Sequence, residues 1–199
     1  MTQVFLNYRT VDEPLGAGML DQILSQKFGS SAVFFASKSI ELGARWEPEM
    51  FNAVRESVAV LVIMGRFCLT ATDENGVRLI DKEDDFVRRE ILLGIEEQKK
   101  IIPVLLGTPR PKRADLPEAL RPLALRQSIS IAYRSTGPDI DRLVAKLREQ
   151  IPELRKPERK KSKPEPHLPA ANIGNYARTN NGSMTNINAH TFNAGPQSD

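Results

Sequence analysis

Five short runs rich in Val, Ile and Phe constrain this chain more than any other feature: Val4–Leu6, Ala32–Phe35, Val58–Met64, Ile101–Leu106 and Ile129–Tyr133. Each is bounded by polar residues, glycine or proline, the punctuation of strands. The second to fourth are nearly continuous in apolar residues, which suits strands covered on both faces. Segments with helical spacing lie between them. Met19, Leu20, Ile23, Leu24 and Phe28 recur at that period, as do Met50, Phe51, Val54 and Val58 after Trp46-Glu47-Pro48. Val87, Ile91 and Ile95 form an i, i+4, i+8 stripe behind a capping aspartate, Asp84 or Asp85. Ile140, Leu143, Val144 and Leu147 follow Pro138-Asp139. Strand and helix alternating in this way predict an α/β fold, a parallel five-stranded sheet with helices on both faces. Pro103 conflicts with the fourth run, because proline removes a ladder donor, and predicts an edge position or a local irregularity.

Two connections are long. Residues 36–46 (ASKSIELGARW) follow the second strand, and residues 67–83 follow the third. Both leave from the carboxyl end of the predicted sheet, as does Asn7-Tyr8-Arg9. That is where open parallel sheets bind ligands, and loops of this length are usually functional.

Histidine removes whole classes of chemistry. The two histidines, His167 and His190, both lie beyond residue 153. A histidine-based triad and a histidine-ligated zinc site are therefore excluded from the predicted domain, and no metal is expected. The single cysteine, Cys68, allows no internal disulfide, has no basic neighbour, and reads as a small buried apolar residue in a cytoplasmic, reducing setting. No apolar run is long enough to span a bilayer, and the first ten residues carry no secretory signal, so no membrane partner is expected.

The net charge of +3 is unevenly placed. Residues 1–153 carry 21 basic and 22 acidic side chains, whereas 154–166 carry six and two. The basic excess belongs to a linker, and no nucleic-acid partner is expected. The predicted organisation is a domain over 1–152, a basic Pro-rich linker over 153–170, and an Asn/Gly-rich tail over 171–199. The tail's seven asparagines give two readings: a disordered end, or an amyloid-like segment able to ladder into cross-β stacks.

VFLNYRT at 4–10 followed by Asp12, AVFFASKSIELG at 32–43, VAVLVIMG at 58–65, DDFVRREI at 84–91, IIPVLL at 101–106 and LPEALRPL at 116–123 stand in the order and spacing of TIR (Toll/interleukin-1 receptor) domains. The chain resembles that family, in its bacterial NAD-cleaving type, over roughly residues 3–150. It departs from the family at Asn7, where serine is usual, at Phe86, where tryptophan is more common, and at Ala36-Ser37, where an aspartate is frequent. The resemblance implies a flavodoxin-like fold and an NAD+ glycohydrolase, some members of the type being cyclases. It also implies TIR–TIR self-association and a role in bacterial defence or cell-death signalling, and the 171–199 tail resembles the assembly motifs that attach to such domains and recruit a partner protein. The other function open to the family is a non-catalytic scaffold or effector acting through TIR–TIR assembly. NAD+ would be substrate, and no cofactor is implied.

The resemblance places the catalytic carboxylate at Glu90. Phe86, four residues earlier, shares a helix face with it. Nicotinamide leaves a cationic ring as a neutral molecule, so one carboxylate, without a general acid, is enough to stabilise the developing ribosyl cation. Taken alone, Glu90 reads as a solvated acid on a helix surface, a position that tolerates alanine. Arg9 is a candidate phosphate ligand or the partner of Asp12 or of an acid in 81–85. Tyr8 is a candidate stacking or hydrogen-bonding residue. Trp46 resembles the loop aromatic beside the nicotinamide site, or is a helix-start residue packing on the core.

Overall fold

The computed structural model describes residues 4–155. Five parallel strands, β1 (Val4–Asn7), β2 (Val33–Phe34), β3 (Ala59–Met64), β4 (Lys100–Leu106) and β5 (Ile129–Ile131), form one sheet in the order β2-β1-β3-β4-β5. The helices are α1 (Pro14–Phe28), α2 (Ala36–Ser39), α3 (Trp46–Glu56), α4 (Phe86–Glu96) and α5 (Thr136–Gln150). The predicted doubly covered parallel sheet is what forms.

The two faces follow from strand alternation. Val4 and Leu6 of β1, with Leu61 and Ile63 of β3, pack against Leu20 and Leu24 of α1 and Leu143 and Leu147 of α5. Phe5, Val60 and Val62 face the other way, against Val54 of α3 and Val87 and Ile91 of α4. Asn7 and Arg9 continue the odd-numbered series and so fall beneath α4. Gly94 lets α4 lie close to the sheet: a Cβ there would stand 2.9 Å from Ile101 Cδ1 and 3.2 Å from Val60 Cγ2.

Pro103 does not mark an edge. β4 lies between β3 and β5, and Pro103 is in register with Val62. The Lys100 N–H bonds to the Val58 carbonyl on the β3 side, and the Gly107 N–H to the Ile131 carbonyl on the β5 side. Alternation therefore turns the Pro103 nitrogen toward β5, whose pairing begins only at Val104. The missing donor lies just before the ladder that would need it.

Three sequence expectations shift at their margins. Val58 belongs to neither α3 nor β3 and is 37% exposed. Residues 36–46 are not all loop, since α2 forms at their start. The domain does not stop at residue 152: a 3-10 turn over Pro152–Arg155 buries Leu154. The remaining linker and the tail lie outside the described residues.

Candidate functional site

Asp85 starts α4. Its carboxylate accepts the Arg88 N–H at 2.9 Å, a side-chain N-cap. One turn on, Val87, Glu90, Ile91 and Gly94 form the buried side of the helix. Glu90 is 3% exposed, which corrects the expectation of a solvated surface acid. A carboxyl group in such a place needs a partner. Asn7, at the end of β1 and wholly buried, supplies it: its Nδ2 donates to Glu90 Oε2 at 2.7 Å and to the Val87 carbonyl at 3.2 Å. Burial pushes the Glu90 carboxyl up to about 8; the Asn7 hydrogen bond works against the shift and the nearby Asp85 charge adds to it.

Arg9 is not a free phosphate ligand. Its guanidinium makes a two-pronged pair with Asp85, Nη1 to Oδ1 at 2.7 Å and Nη2 to Oδ2 at 2.9 Å, with both side chains nearly buried. The structural alternative named Asp12 or an acid of 81–85 as the partner, and Asp85 is the one. Asp12 instead accepts the Gly65 and Phe67 N–H groups, each at 2.7 Å, tying the end of β1 to the loop after β3. Two buried polar atoms on this face of β1, Asn7 Oδ1 and Arg9 Nε, have no partner among the described residues. One is an acceptor and the other a donor.

Tyr8 stacks on Phe35, ring centroids 5.3 Å apart. Its phenol is raised by burial and, second, by the charge of Glu90. Trp46 opens α3 and meets Phe86, the first residue of α4, edge-on at 4.5 Å. Trp46 remains 47% exposed, so it is a helix-start residue that packs on one ring and leaves the other side open. Phe51 stacks on Phe86 at 6.4 Å, and the Arg89 guanidinium lies over both rings while pairing with Glu47 at 2.9 Å. A cavity of about 570 Å³ beside these rings is lined by Trp46 and Phe51 but not by Glu90.

The five candidate residues thus gather around the end of β1 and the first turns of α4, with Trp46 on Phe86, Arg9 on Asp85, and Tyr8 within the field of Glu90. Asn7 and Arg89 were not anticipated as parts of the site, whereas Asp85 was expected as the cap of this helix or as a partner of Arg9 and is both. The signal for Asn7 was the period-2 face it shares with Phe5. Cys68 is buried, and burial pushes its thiol up to about 12, so it offers no thiolate. Among the described residues no cluster of His, Cys, Asp or Glu could hold a metal ion, and no helix is long and apolar enough to cross a membrane. A single buried carboxyl, held by one amide, can in its ionised form accept hydrogen bonds from hydroxyl groups and stabilise positive charge once a ligand reaches it.

Residues 4–147 match the family model described as "TIR domain". The TIR domains in the structure of the activated Roq1 resistosome directly recognizing the pathogen effector XopQ are 16% identical, with a TM-score of 0.54 over 74% of this chain and 99% of that one. A metazoan TIR-STING receptor from C. gigas, in complex with 2',3'-cGAMP, is 18% identical, with a TM-score of 0.49 over 77% of this chain and 39% of that one. The TIR domain of the Toll-related receptor TRR-2 from Hydra magnipapillata is 15% identical, with a TM-score of 0.44 over 78% and 100%. At 16% identity the likeness to the Roq1 TIR domains is one of fold. No curated protein matches the chain.

Proposed function

We propose that this chain, which belongs to the TIR domain family, is an NAD+ nucleosidase that breaks the nicotinamide–ribose bond when assembled. The observation that carries the reading is Glu90, a carboxyl group 3% exposed and hydrogen-bonded to Asn7 at the carboxyl end of a parallel sheet. A buried acid with a strongly displaced pKa is costly to keep, and such groups concentrate at sites of chemistry. In this reading the C–N bond electrons pass to the ring nitrogen and nicotinamide leaves neutral. The Glu90 carboxylate stabilises the ribosyl cation, a water molecule adds to it, and its proton goes to solvent. Trp46 and Phe86 wall the nicotinamide end, and Tyr8 borders the ribose. Arg9 acts through Asp85, fixing the start of α4, and not on phosphate.

The carboxyl is closed off in the single chain. Activity therefore requires a rearrangement that opens a path to the Glu90 carboxyl, which is 3% exposed. TIR–TIR self-association is the proposed trigger, and cytoplasmic bacterial defence or cell-death signalling the proposed setting, with the tail as the attachment point for a partner protein. That same closure favours the second reading, a non-catalytic TIR scaffold or effector.

Nicotinamide release from NAD+, measured across a hundredfold range of protein concentration, separates the two. A rate per chain that climbs with concentration supports the nucleosidase. Assembly without release at any concentration supports the scaffold.

A further inference from the structure

The loops that leave β3 and β4 enclose a cavity of about 230 Å³ at the carboxyl end of the sheet, lined by Arg66, Arg78 and Arg110 with Thr70, Thr108 and Asp115. None of these residues belongs to the surroundings of Glu90. We propose that this cavity binds the phosphate or diphosphate group of a small phosphorylated molecule.

The three guanidiniums are held differently. Arg78 is fixed: it grips Asp81 through two hydrogen bonds, at 2.7 Å and 2.9 Å, and donates to the Asp115 carbonyl at 3.0 Å. Arg110 donates through one nitrogen to the Arg126 carbonyl, which anchors it without neutralising it. Arg66 makes no hydrogen bond or ion pair among the described residues. The Asp115 carboxylate accepts the Lys112 N–H, which fixes it in the capping turn of its own loop. Asp81 balances Arg78, and the Asp12 carboxylate at the cavity's edge is taken up by the Gly65 and Phe67 N–H groups, with Glu13 beside it. The guanidiniums of Arg66 and Arg110 remain to face a ligand, and their planar forks match phosphate oxygens in pairs. The two threonine hydroxyls add short neutral donors beside them. The position also fits, since open α/β sheets take ligands outside the carboxyl ends of their strands.

The test follows thermal unfolding of the full chain with sodium pyrophosphate, with ADP, and with sodium chloride at matched ionic strength. Wild type is compared with Arg66→Glu and with the double variant Arg66→Ala/Arg110→Ala. Pyrophosphate should raise the wild-type midpoint saturably, and the double variant should need at least about tenfold more for the same shift. Arg66→Glu breaks no hydrogen bond or ion pair among the described residues, and unchanged circular dichroism verifies that it folds. It should remove the shift. ADP acting more tightly than pyrophosphate, and depending on Arg66, identifies a nucleotide as the source. Equal strength identifies the phosphate groups alone. Both results uphold the site. No saturable shift in wild type, or an equal shift in Arg66→Glu, overturns it.

Discussion

Asn7 Nδ2 donates to Glu90 Oε2 across 2.7 Å, joining the end of β1 to the second turn of α4 inside the core. This bond holds the carboxyl in place but does not offset its burial, because the group still titrates near 8. A folded-state pKa raised above the unfolded value makes the folded chain hold its proton longer. The associated stability is fully present below about pH 4.5 and is lost as pH rises toward 8. The slope can reach about 1.4 kcal/mol per pH unit. Denaturant unfolding of wild type from pH 5 to 8.5 should show this decline. Glu90→Gln, which keeps an acceptor for Asn7 and cannot ionise, should lack it.

Asn7→Ala leaves Glu90 buried without its donor. The loss should cost about 1–3 kcal/mol, the penalty for stranding a buried polar group. It should be larger at pH 8.5, where more carboxylate forms, than at pH 5. A double-mutant cycle with Glu90→Gln, read by urea unfolding at both pH values, should show a coupling that shrinks at low pH. A cost identical at both pH values would mean that Asn7 serves the Val87 carbonyl and not Glu90.

Arg9 and Asp85 form a pair with side chains only 5% and 9% exposed. Removing one member of a buried pair typically costs about 3–5 kcal/mol, because the other charge stays behind. Arg9→Ala should therefore destabilise strongly. The added cost of Asp85→Ala on that background should be small, limited to the cap it gives Arg88, about 1 kcal/mol. Chemical unfolding of the two single variants and the double variant checks this non-additivity.

The layered sheet was legible because it rests on local periods: apolar runs for the strands and i, i+4 stripes such as Val87–Ile91 for the helices. Alternation along β1 also held the clue that Asn7 and Arg9 follow Phe5 to the α4 side. The burial of Glu90 was not legible. Its stretch, Arg88-Arg89-Glu90, looks like a solvated run, and two of the three do turn outward, Arg88 to the Asp81 carbonyl and Arg89 to Glu47. Helix phase puts Glu90 on the inner face with Val87, Ile91 and Gly94, and the absence of a side chain at Gly94 brings that face close to Ile101 and Val60, so that Glu90 is covered. The Arg9–Asp85 pair spans 76 positions, and the Asn7–Glu90 bond 83, beyond any local pattern. The resemblance could point to Glu90 but could not reveal what encloses it.

Trp46 is the only tryptophan and is about half exposed beside Phe86, so its fluorescence reports on this spot alone. NAD+ should quench it saturably if the aromatic wall takes the nicotinamide ring. Trp46→Ala should cost only about 1 kcal/mol, the scale of one aromatic pair, and should slow nicotinamide release without abolishing it. Quenching that is unchanged in Phe86→Ala would separate the two rings' roles.

Glu90 carries the remaining prediction, and its burial changes how the test must be run. Glu90→Ala removes a buried, hydrogen-bonded group and strands Asn7, so a loss of activity in that variant could follow from a loss of folding. Glu90→Gln is the informative substitution. It keeps the volume and an acceptor for Asn7, and it removes a group that is largely protonated at neutral pH in the closed chain. Stability at pH 7 should hold or rise slightly. If the carboxylate stabilises the ribosyl cation, nicotinamide release should still fall by about 10²–10³, the usual loss for one preorganised electrostatic contact. Wild-type activity should grow with pH through the range where the carboxyl loses its proton. The residual activity of Glu90→Gln should be flat there. The comparison is made at protein concentrations where light scattering shows equal assembly. Equal release by both proteins would remove Glu90 from the chemistry, and release from neither would leave the scaffold reading standing.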